Sequence, residues 1–116
     1  MNLKLRTVGV LGLALASFGC VSYSYTRTTQ ATAEAKPATC QPEVLTIRPE
    51  RSFVELGVLE PVGFHTRSIG RFLEDVGPQV CAAGGDAVLA QIDGSGEIIR
   101  GTVIRFNLVE GAPATP

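Results

Sequence analysis

The chain has 116 residues, 45% of them hydrophobic, and a formal charge of −1 at neutral pH. That length suits one domain and is too short for two. With no basic run and no interleaving of aromatic and basic residues, the sequence lacks the electrostatic footprint of a nucleic-acid binder.

Residues 1–20 read MNLKLRTVGVLGLALASFGC. Lys4 and Arg6 make a short positive start, and residues 8–18 form an apolar core too short to span a bilayer comfortably. The core ends in small residues and Cys20. This arrangement resembles a bacterial lipoprotein signal, in which residues 1–19 are removed and Cys20 is acylated with palmitate-like chains as the new N-terminus. Gly19 fits the position before the cysteine, whereas Ser17 stands where leucine is usual. Ala14-Leu15-Ala16 offers an A-x-A site for ordinary secretion, which would give a periplasmic or secreted product; an uncleaved anchor is a third option. A buried cytosolic helix fits poorly, because the flanks form no amphipathic pattern. Val21 resembles the sorting signal for the outer membrane, so the expected address is that of an outer-membrane lipoprotein facing the periplasm. Several acyl chains on Cys20 give a stable membrane anchor. Without Lys4 and Arg6, eight basic side chains face eleven acidic ones, a formal charge of −3.

Residues 20–39 comprise the lipidated cysteine and a Ser/Thr/Ala-rich stretch with almost no aliphatic content. Such a composition buries too little surface to offset chain entropy, so a disordered tether is expected, with Tyr23 and Tyr25 exposed. Residues 111–116 read as a disordered tail. The folded domain is then residues 40–110.

Within it, Val44-Leu45-Thr46-Ile47 is a β-branched run, and Pro49-Glu50-Arg51-Ser52 is turn chemistry. Residues 53–59 alternate, with Val54, Leu56 and Val58 on one face, and Pro61 and Gly63 end the strand. Ile69, Phe72, Leu73, Val76, Val80 and Ala83 then follow a helical period. Thr66 or Ser68 is the candidate N-cap, and Gly84-Gly85 the stop. Gly77-Pro78 inside this pattern predicts a kink or two short helices. Residues 87–92 form a third strand and Asp93-Gly94-Ser95-Gly96 a hairpin loop. Residues 98–108 form a fourth strand, where Arg100-Gly101 marks a bulge. The fold class is therefore α+β: a small four-stranded sheet in the order β-β-α-β-β, with one helix on one face.

A domain of this size is marginal without a staple. Cys20, Cys40 and Cys81 are the three cysteines. With Cys20 committed to lipid, Cys40 and Cys81 pair as a single disulfide in an oxidising compartment. No C-x-x-C spacing points to redox chemistry, so a structural bridge is the reading.

From Cys40 onward the segments FVELGVLE, VCAAGGDAVLAQI and GSGEIIRGTVIRF resemble those of the Rcs stress-sensor outer-membrane lipoproteins and the related heavy-metal-binding envelope domains. Glu55-Leu56-Gly57 and Gly84-Gly85-Asp86-Ala87-Val88 carry the likeness. The resemblance implies the fold, the tether and the envelope address. Sensors of that kind carry two disulfides, whereas this chain has cysteines for one.

Gly84, Gly85 and Asp86 read as a structural turn more than an anion nest. Gly94-Ser95-Gly96 is no phosphate loop, since it lacks lysine and precedes a strand. His65 is the single histidine, and no cluster of metal ligands accompanies it. Asp93 with Glu97, and Glu74 with Asp75, read as solvated carboxylates. Ser52, Ser68 and Ser95 lack a nucleophile motif. No catalytic residues, metal site or cofactor are assigned. The expectation is a non-enzymatic interaction or sensor module, held to the membrane by its lipid anchor and docking on another envelope protein; the alternative is a periplasmic metal- or small-ligand-binding domain.

Overall fold

A computed structural model describes residues 22–31 and 33–106. The signal-like segment 1–19, Cys20 and the tail 111–116 lie outside the described residues. Five strands and one helix follow in the order β1 (Ser22–Arg27), β2 (Glu43–Leu45), β3 (Phe53–Val62), α1 (Ile69–Ala82), β4 (Ala87–Ile92) and β5 (Ile98–Phe106). They build one mixed sheet in the order β1-β3-β5-β4-β2. Only β2 with β4 is parallel; the other three pairings are antiparallel. The class is α+β, as expected, with five strands rather than four.

The additional strand is β1, which falls inside the stretch whose composition reads as a tether. Ser-Tyr-Ser-Tyr-Thr-Arg alternates with a period of two, and the ladder sets Tyr23 opposite Pro61 and Tyr25 opposite Leu59. Tyr23 is buried and meets Phe72 edge-on, ring centroids 5.6 Å apart. Two aromatic side chains supply the apolar area that the Ser/Thr content hides. The sheet therefore already includes residues well before Cys40.

Helix α1 starts at Ser68, whose Oγ accepts a hydrogen bond from the Arg71 amide at 3.1 Å. It runs as one helix with Pro78 inside it, not as two short ones. Pro78 is exposed, so its ring points into solvent while Phe72, Val76, Val80 and Cys81 bury the opposite face. That buried stripe outweighs the one hydrogen bond lost to the imino acid. The helix stops in a glycine cap: Gly84 N bonds Cys81 O at 3.0 Å, and Gly85 N bonds Val80 O at 2.9 Å. Gly84 has φ +83°, a left-handed conformation, and a Cβ there would lie 2.7 Å from Ala33 Cβ. Only glycine meets both demands.

The core lies between α1 and the sheet, where Phe72, Val76 and Val80 join Leu56, Leu59, Val88, Ile98 and Val103. Two register shifts correct the expected strand faces. Glu55 pairs with Ile104 and Gly57 with Val103, which leaves Leu56 as an extra residue in β3. The bulge resets the alternation, so Leu56 and Leu59 are buried, while Val54 and Val58 are only partly so. On the other side of β5, Gln91 pairs with Arg100 and Ile92 with Ile98. The extra residue there is Ile99, one place before the expected Arg100-Gly101.

Residues 46–52 connect β2 to β3. Arg48 stands 4.8 Å from the centre of the Phe53 ring, and Arg51 stands 3.9 Å from that of Phe106. Phe53 and Phe106 are themselves cross-strand partners, so cation–π contacts clamp this loop onto that end of the sheet.

Candidate functional site

The structure joins Cys40 to Cys81 with their Cα atoms 5.9 Å apart. Around this joint the chain is fastened at several points. The Lys36 amide bonds Cys81 O at 2.8 Å, and the Glu43 amide bonds Asp86 O at 3.2 Å. Asp86 is the hub of the turn after α1. Its carboxylate takes an ion pair from Lys36 and accepts the Phe106 amide at 2.8 Å, while its own amide bonds Ile104 O at 2.8 Å. Arg105 donates to Gly84 O at 2.8 Å. Gly84, Gly85 and Asp86 thus tie the helix end, the segment before Cys40, β2 and β5 into one knot. Sequence reading did not single out Lys36, because nothing local announces a partner fifty residues away.

Partial burial pushes the Asp86 carboxyl up, but the Lys36 and Phe106 hydrogen bonds, with the charges of Lys36 and Arg105, hold it below its ordinary value of 3.8. A folded-state value below the unfolded one adds stability above about 3.8, and that stability is lost as pH falls through the folded value. Asp86→Asn is therefore expected to destabilise the chain at pH 7, with the gap to wild type narrowing toward about pH 2. Urea unfolding at both pH values measures this; a gap that stays constant contradicts it.

A shallow cleft of about 230 Å³ opens between β1 and the end of α1, lined by Tyr25, Arg27, Ala33, Leu56, Ala82 and Ala83. Tyr25 lies across Gly57, where a Cβ would come within 2.4 Å of its ring. Burial raises the Tyr25 hydroxyl above its ordinary value, opposed by the charge of Arg27. Arg27 closes the lip by donating to the carbonyls of Thr29 at 2.9 Å and Ala31 at 3.2 Å. Beside the cleft, β1 pairs among the described residues only with β3, and the Tyr23 carbonyl accepts a hydrogen bond from Gln79 Nε2 of α1 at 3.3 Å.

The remaining candidates do not converge. Asp93 Oδ1 accepts from the Ser95 amide at 2.9 Å, the Ser95 hydroxyl at 2.7 Å and the Glu97 amide at 3.0 Å, which closes the hairpin. The Ser95 and Glu97 hydrogen bonds hold its carboxyl below the ordinary value. Ser95 Oγ thus donates to a carboxylate rather than to an imidazole, Ser68 caps α1, and Ser52 is exposed, as is His65. Glu74 is exposed, while Asp75 pairs with Arg71 at 3.4 Å. Two buried atoms, the Tyr23 hydroxyl and Asp75 Oδ2, have no hydrogen-bond partner among the described residues. Burial, and then the Asp75 charge, raise the Tyr23 hydroxyl against the opposing Arg71. Among the described residues no three His, Cys, Asp or Glu side chains gather as a metal site. No described helix is long and apolar enough to cross a membrane.

Comparison with protein-family models, curated proteins and solved structures finds no match to this chain.

Proposed function

We propose that this chain is an envelope lipoprotein, acylated at Cys20, whose domain docks on another envelope protein as a non-catalytic interaction or sensor module. The observation that carries the reading is the Cys40–Cys81 bond. Structural disulfides persist in oxidising compartments, and the chain upstream has the form of an export signal. Kinship with the Rcs stress-sensor lipoproteins belongs to the same proposal. Docking is supported by the edge of β1 beside the cleft, which has no second strand on it among the described residues and where Gln79 takes only the Tyr23 carbonyl. An edge strand offers a row of backbone donors and acceptors to which an extended partner segment can add. The cleft itself, about 230 Å³, falls below the ~300–1,000 Å³ of ordinary small-molecule sites.

Mass spectrometry of the mature protein tests the address. The expected species begins at Cys20, carries acyl chains and has Cys40 and Cys81 oxidised. An intact Met1 form with reduced thiols, or a chain cut after Ala16, overturns it. A photo-crosslinker at exposed Ser24 on β1 tests the docking in native membranes. One stoichiometric adduct with an envelope protein is expected, and its absence removes the edge as the docking surface.

A further inference from the structure

Four of the five large hydrophobic side chains exposed among the described residues lie toward one end of the molecule; the fifth, Ile47 in the loop after β2, is 78% exposed. Phe64 is 82% exposed, Val62 58%, Ile92 42% and Ile69 38%. The register places them at the same end of the sheet. Ser22 pairs with Val62 across β1 and β3. Leu59 pairs with Gly101, so Val62, three residues further on, lies toward the end of the sheet at which Ile98 pairs with Ile92 in β4. The Ile98 amide bonds Thr66 O at 2.8 Å, which brings the Phe64 loop and the start of α1 to the same end. Large apolar groups concentrated on one tip mark a surface made for contact.

Ser22, the first residue of β1, stands on that tip, and the sequence places Cys20 two residues before it. Two residues reach at most ~7 Å. At the opposite end, where Phe53 pairs with Phe106, Arg48 and Arg51 stand over the two rings. The apolar tip is therefore the end of the domain next to the anchor cysteine.

We propose that this tip rests on the lipid bilayer, with Phe64, Val62, Ile69 and Ile92 in the interface. The inference rests on the reading that Cys20 is acylated. The contact is apolar rather than electrostatic, because the cations around the tip already face carboxylates: Arg100 with Glu60 at 3.0 Å, Arg71 with Asp75 at 3.4 Å and Arg67 with Glu97 at 4.0 Å. Apolar insertion of this kind follows buried area and gains little from anionic lipid when net basic charge is absent.

The chain contains no tryptophan, so Phe64→Trp supplies a single fluorescent reporter and Phe53→Trp a control at the far end. Mature full-length protein carrying either change is placed in phosphatidylcholine vesicles, with and without bromine-labelled acyl chains. Its mass is measured in the same preparation. The expected result is acylated protein in which bromolipid quenches the residue-64 emission at least two-fold and leaves the residue-53 emission unchanged, equally in neutral and anionic vesicles. Acylated protein with unquenched residue-64 emission overturns the docking while leaving the anchor intact. A blue-shifted but unquenched emission means that protein, such as a second copy, covers the tip, and also overturns it. Quenching confined to anionic vesicles overturns the apolar contact. A mature chain without acyl groups removes the anchor reading and this inference with it.

Discussion

Replacing Cys40 and Cys81 together by alanine lowers the folding free energy of the mature chain by about 4 kcal/mol, measured by urea unfolding at pH 7. The two cysteines are 41 residues apart, and closing a loop of that length removes this much entropy from the unfolded ensemble. The native state adds to the effect. The Lys36 amide hangs on the Cys81 carbonyl, and the Glu43 amide on that of Asp86. Slack at the joint loosens β2, a three-residue strand with a single neighbour. Against a total of about 5–15 kcal/mol for a domain, the variant keeps little margin. Both cysteines are changed so that no unpaired thiol is left to form dimers. A loss under about 1 kcal/mol would show that the non-covalent knot at Asp86 holds the segment unaided.

Phe72→Ala has the largest expected effect of any core truncation, about 3–5 kcal/mol. Phe72 is the largest fully buried side chain. It sits where three elements meet: α1, the sheet at Gly101 and Val88, and Tyr23 of β1. A Cβ at Gly101 would lie 2.8 Å from its ring, which shows how closely the sheet backbone packs on it. The same experiment, run as a double-mutant cycle with Tyr23→Ala, isolates the aromatic pair. A coupling of about 0.5–1.5 kcal/mol is expected. Zero coupling would mean that β1 packs on the domain without contributing to its core.

The helix, β3, β4, the Asp93 hairpin and the disulfide were legible because each leaves a local mark: a 3.6-residue apolar stripe, alternation, turn residues, or cysteine arithmetic. Strand β1 escapes a reading by composition because a mean over nineteen residues hides its signal, a six-residue alternation with tyrosine on the inward side. Pro78 pointed toward a break, yet its exposed ring left the buried face of α1 uninterrupted. The bulge at Leu56 had a sequence cause in Gly57, which lets Tyr25 lie across the strand; that meaning is visible only once β1 is in place. The Lys36–Asp86 pair and the apolar tip arise from topology alone and leave no local pattern.

The covalent ring closed by Cys40 and Cys81 encloses β2, β3 and α1 and leaves β1 outside it. Strands β4 and β5 also lie outside, but β5 is central and β4 has neighbours on both sides. Of the strands outside the ring, β1 can peel away without unzipping another pairing, and local opening of that kind is cheaper than global unfolding. The first element to feel a pull on the N-terminus is thus the one the molecule can release and recover, while the cross-linked remainder stays intact as a template for its return.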